Sequence, residues 1–156
     1  MKATWNNALQ KARPDIFHRW KGSALALFSG AESPSSLITD ALLEQMASLL
    51  DSLAEDKGDC SDAVEAICRI LAVQPLKPSL AMRVFFSLKS IVPEFLCGPS
   101  GNDFSGEGEP ERFLSRTDEL ILMAFDRYMA HRERLYQLKV EESRNRMHMA
   151  LRRAGV

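Results

Sequence analysis

The chain has 156 residues, 46% of them hydrophobic and 26% charged, with a formal net charge of -1. That is the size and make-up of one globular domain able to bury a core without disulfides or metal. The balanced charge gives no global reason to bind nucleic acid or a membrane, and the three cysteines, Cys60, Cys68 and Cys97, have no CxxC spacing, which argues against a disulfide framework and a zinc knuckle.

An all-α fold follows from pattern. Leu, Ala, Glu, Arg and Met dominate, and no stretch alternates with period two among β-branched residues, so no strand is predicted. Residues 1–10 are polar and do not form a signal peptide. No apolar run reaches the roughly 20 residues that cross a bilayer. The cysteine usage points to a reducing compartment, the cytoplasm.

The first helical region spans residues 4–28, with a break expected just before Pro14, whose ring removes an amide donor and clashes with the preceding turn. Ile16, Phe17, Trp20, Ala24, Leu27 and Phe28 follow at three-to-four spacing and form one buried face. A Ser- and Gly-rich loop over 29–36 precedes a second helix, about 36–54, with Ile38, Leu42, Met46, Leu49, Leu50 and Leu53 inside. A polar turn containing Gly58 leads to Ser61, read as the N-cap of a third helix running to about Val73. Pro75 and Pro78 prevent the following segment from being helical throughout. The fourth helix, about 79–95, is apolar over most of its circumference, which predicts a central place; Pro93 is expected to bend its last turn. Residues 97–111, rich in Gly and Pro, read as a flexible internal loop within one domain covering 1–156.

The last helix starts near Pro110 or Arg116 and continues to about Arg153. It is too long for a small domain, so part of it should project or pair. Ile121, Ala124, Tyr128, His131, Leu135 and Leu138 form a heptad-like seam for a dimer or partner. Charge is segregated, with acids concentrated in the second and third helices and Arg and Lys concentrated after Asp126. The expected architecture is a single bundle of about five to six helices, with a globin-like arrangement as one option, and a long projecting C-terminal helix.

No catalytic, metal-binding or cofactor set emerges. His18, His131 and His148 are scattered, and neither a GxSxG elbow nor a Walker glycine loop occurs. Cations after Asp126 are interleaved with acids and lack aromatic partners beyond Tyr136, so nucleic-acid binding is not expected. Phe17, Trp20, Phe85, Phe86 and Phe125 are the residues that would line an apolar pocket, should the helices enclose one.

Two stretches carry a family resemblance. One runs Leu71-Ala72-Val73-Gln74-Pro75-Leu76-Lys77-Pro78-Ser79-Leu80-Ala81, followed by Phe86-Ser87-Leu88-Lys89. The other combines Asp118-Glu119-Leu120, Ala124-Phe125-Asp126-Arg127-Tyr128 and His131-Arg132-Glu133-Arg134-Leu135-Tyr136. Together they resemble the RsbRD N-terminal domain family, named for a co-antagonist of the RsbT kinase. The resemblance implies a bacterial, non-enzymatic and non-haem helical domain for sensing or regulation in signal transduction and stress response. Such domains sit before an output module. None follows here, so output is expected to pass through an unidentified regulatory protein. The segment 29–34 lacks the Phe-x-Asn-Pro of many members and keeps only Pro34. The functional expectation is therefore a regulatory or scaffold homodimer with no cofactor, no nucleic acid and no membrane insertion. The alternative is a helical sensor for a small ligand or haem.

Overall fold

The computed structural model describes residues 5–28, 34–55, 58–96 and 108–155. They form five helices, α1 (Trp5–Ala26), α2 (Ser36–Leu53), α3 (Ser61–Ala72), α4 (Pro78–Leu96) and α5 (Glu109–Arg153), and no strand is present among them. The fold is the expected all-α bundle with a long C-terminal helix. Around the core the helices follow the order α1, α2, α3, α5, α4, and α4 returns to α1. The last helix is thus inserted between α3 and α4 and closes the ring.

Each helix turns its apolar stripe inward. In α1 the buried residues are Trp5, Leu9, Ile16, Trp20 and Ala24, spaced by four or seven, so one stripe runs the whole length. The helix continues through Pro14, where a break was expected. A proline removes one hydrogen bond. Pro14 lies on the exposed side, however, and the buried residues before and after it stay in phase, so packing holds the helix together across the gap. Trp20 anchors α1 to α4: its indole Nε1–H donates to the Val84 carbonyl at 2.7 Å in the interior. In α4, Ala81, Val84, Phe85, Leu88, Ile91 and Val92 are buried, and the helix runs through Pro93 to Leu96.

The caps differ from expectation at one helix. Ser35 caps α2, its hydroxyl accepting from the Ile38 amide. At α3, Ser61 is already helical and Cys60 occupies the cap position without a side-chain bond. The capping oxygen comes from Asp59, whose carboxylate accepts from the Ser61 amide at 2.9 Å. The bonds from Ser61 hold the Asp59 carboxyl below its usual range, because they favour the charged form.

The end of α2 is held from a distance. Arg116 on α5 donates to the carbonyls of Ser52, Leu53, Glu55 and Gly58 at 2.8–3.1 Å. These include carbonyls at the C-terminus of α2, where orphan acceptors and the negative end of the helix dipole favour a cation. Gly58 lies so close to this turn that a Cβ there would sit 2.1 Å from the Ser52 oxygen.

Most of the expected loop, residues 97–107, lies outside the described residues. Its last part is corrected: 109–111 are the first turn of α5. Gly108 enters with φ 87°, which glycine adopts freely, and Pro110 sits in the first turn where its missing amide costs nothing. Glu109 and Glu111 face the positive end of the helix.

Candidate functional site

At 45 residues α5 is about 67 Å long, far beyond the body it serves. Its first half belongs to the core, with Phe113, Thr117, Leu120, Ile121, Ala124 and Tyr128 buried. After Tyr128 no described residue of the chain is fully buried, and from Glu141 onward all are exposed.

The point where α5 leaves the body is tied by polar contacts to α3 and the turn after it. The Tyr128 hydroxyl donates to the Leu76 carbonyl at 3.3 Å, and the Arg132 guanidinium donates to the Ala72 carbonyl at 3.1 Å. Cys68 donates its thiol proton to the Ala124 carbonyl at 3.3 Å. Burial, reinforced by the nearby Glu65 charge, pushes the Cys68 thiol up to about 12, so it stays protonated and behaves as a small core residue. Burial also pushes Cys60 up, against the attraction of Arg116. Glu65 is held between two residues of α5: its Oε1 lies 2.6 Å from His131 Nε2, and its Oε2 lies 3.5 Å from Arg127. The latter oxygen is buried without a hydrogen bond, so Arg127 serves it by charge alone. These contacts fix the direction in which α5 departs.

Two open grooves flank the departing helix. One, of about 580 Å³, is lined by Val73, Met129, Arg132, Leu135, Tyr136 and Lys139. The other, of about 360 Å³, lies across α5 and includes Glu65, Arg69, Val73, His131, Leu135 and Leu138. They share Val73 and Leu135, so an exposed apolar rim surrounds the exit of the helix.

The six seam residues fall into two groups. Ile121, Ala124 and Tyr128 are in the interior, where they meet this chain's own helices. They are not available to a second chain. His131 and Leu135 are half-buried at the exit, and Leu138 is exposed beyond it. The five aromatic residues of the expected pocket are not brought together as a cavity lining. Trp20 and Phe85 are fully packed in the core, Phe17 is half-buried, and Phe86 and Phe125 are exposed. The grooves on α5 are lined by other residues. Among the described residues no group of three His, Cys, Asp or Glu side chains is arranged so that it could hold a metal ion.

What the seam reading passed over is a second apolar stripe on the outer face of α5. Leu122, Phe125, Met129, Tyr136, Met147 and Leu151 are between 41% and 69% exposed. Their spacing was in the sequence, but on spacing alone the Ile121–Tyr128 stripe and this one compete for the role of core face.

Comparison with known proteins finds one partial likeness. A protein of Archaeoglobus fulgidus described as an uncharacterized protein is 33% identical over 93 residues, which is 58% of this chain and 57% of that protein. This chain therefore matches just over half of the length of that relative. No family model matches the chain, and no solved structure matches it. None of the helices among the described residues is long and apolar enough to cross a membrane.

Proposed function

We propose that this chain is a non-enzymatic regulatory or scaffold domain that works through protein–protein contacts made by α5, including pairing with a second copy through the terminal helices. One observation carries the reading. The chain invests a 45-residue helix in which only the first half serves its own core, while the second half carries uncovered apolar side chains into solvent. Exposed apolar surface of that kind marks a contact site. The resemblance to the RsbRD N-terminal domain family supports the same class, a helical regulatory domain of a bacterial signalling or stress-response system. A cytoplasmic setting belongs to the same proposal, supported by the free, buried thiols of Cys60 and Cys68.

The test places a photoreactive phenylalanine analogue at Tyr136 or at Met147 in the native host. Illumination is expected to give a covalent adduct with a polypeptide from each position. No protein adduct from either position would sink the reading.

A further inference from the structure

The exposed stripe on α5 has an unusual period. Phe125, Tyr136 and Met147 are eleven residues apart, and so are Met129, the half-buried Val140 and Leu151. Eleven residues complete three helical turns with only about 20° of drift, so these positions stay on one face over roughly 39 Å. That face lies about 120° around the axis from the buried positions Ala124 and Tyr128. Arg132, which stands between the first two pairs, is drawn aside to the Ala72 carbonyl, leaving the stripe open.

We infer that this stripe binds the same stripe of a second copy of the chain, with the two α5 helices antiparallel and centred near Leu138. This rests on the proposed protein-contact role and names its partner, face and register. The apolar positions are symmetric about that centre. Phe125 meets Leu151 of the second copy, Met129 meets Met147, and Tyr136 meets Val140, each contact occurring twice. A two-fold axis demands that kind of self-complementarity.

Charge selects the antiparallel direction. One flank of the stripe carries Glu119, Asp126 and Glu133 toward the body and Arg144 toward the tail. In an antiparallel pair a flank faces itself in reverse. Glu133 then meets Arg144 of the second copy, and Asp126 comes level with its segment from His148 to Arg152. A parallel pair would set the arginines of the two tails side by side. On the other flank Lys139 meets its own copy near the axis, where its long stem lets the ammonium reach water. A strip about 40 Å long and roughly one helix wide is at the low end of specific interfaces, so the dimer is reversible and concentration-dependent.

The test uses the full chain. Light scattering from 10 to 500 µM is expected to show a monomer–dimer equilibrium. Met147→Asp, at a tail position that touches none of the body, is expected to raise the dissociation constant at least tenfold and leave thermal unfolding of the body unchanged. Glu133→Arg and Arg144→Glu should each weaken the dimer, and the double variant should restore it. In a Cys97→Ser background, a short bis-maleimide linker should join Glu133→Cys chains to Arg144→Cys chains in a mixture. It should not join Glu133→Cys chains to each other, because those sites are about 15 Å apart along the axis in this register. A dimer indifferent to Met147→Asp, or one in which Glu133→Cys links to itself, would overturn the antiparallel stripe while leaving the contact role of α5 standing. A strict monomer whose Tyr136 photo-adduct carries a different protein would overturn the self-pairing. A monomer with no adduct at all would overturn both.

Discussion

Replacing Arg116 by Met removes one guanidinium and keeps most of the apolar stem, so it isolates the bonds by which α5 holds the end of α2. In the native chain Nη1 donates to Leu53 and Glu55, and Nη2 donates to Ser52 and Gly58. The carbonyls of Ser52 and Glu55 keep a backbone amide each, from Glu55 and Gly58 respectively. The carbonyls of Leu53 and Gly58 depend on Arg116 among the described residues. A hydrogen bond to a charged group contributes about 1.5–3 kcal/mol, and two of them would give about 3–6 kcal/mol. The site is only half-buried and water can replace part of the loss, so the lower end, about 3 kcal/mol, is expected. For a domain of this size that corresponds to a fall in Tm of roughly 6–12 °C. Urea unfolding followed by helical circular dichroism measures it, with the slope unchanged if the loss is purely of stability. Arg116→Lys should recover less than half, because an ammonium cannot span four acceptors as a planar fork does. A loss below about 1 kcal/mol for Arg116→Met would refute the reasoning, as would full rescue by lysine.

Other outcomes follow from the same structure. Gly58→Ala is expected to destabilise by about 1–3 kcal/mol in urea melts, because its Cβ would press on a backbone oxygen that Arg116 holds in place. Ending the chain after Val140 should leave Tm within about 2 °C of the parent, since no described residue beyond it is buried. Cys68 should resist an exposed-thiol reagent at pH 8 in the folded chain and react fully in denaturant, given a thiol pushed up to about 12. The Asp59 carboxyl is depressed in the folded state, so its capping bond adds stability at pH values above the unfolded value of 3.8. That contribution fades as pH falls through the depressed folded value. The deficit of Asp59→Ala should therefore be present at pH 7 and vanish in strong acid, as read from unfolding midpoints across pH.

Much of the architecture was legible from local pattern. The stripes of α2, α3 and α4 recur every three to four residues, and the polar and proline-rich connectors separate them cleanly. The continuation of α1 through Pro14 was not legible. A proline's local cost is visible in one residue, whereas the burial that outweighs it depends on α2 and α4 packing along both halves of the helix. The same holds for the cap of α3: Asp59 and Ser61 are both good capping types, and only the backbone path decides which oxygen reaches an amide. At the candidate site the sequence showed that α5 was too long for its domain. It did not show which of two stripes was already taken.

On its own, then, the sequence determined an all-α chain, the rough limits of most of its helices, and a terminal helix that outruns its core, because helical periodicity and turn residues act over a few neighbours. Tertiary structure decided that Ile121, Ala124 and Tyr128 face α3 and α4, and that Phe125, Met129, Tyr136, Met147 and Leu151 are left outside. Two apolar stripes on one helix are equivalent until other helices cover one of them. Which one remains for another molecule is a property of the packed body alone.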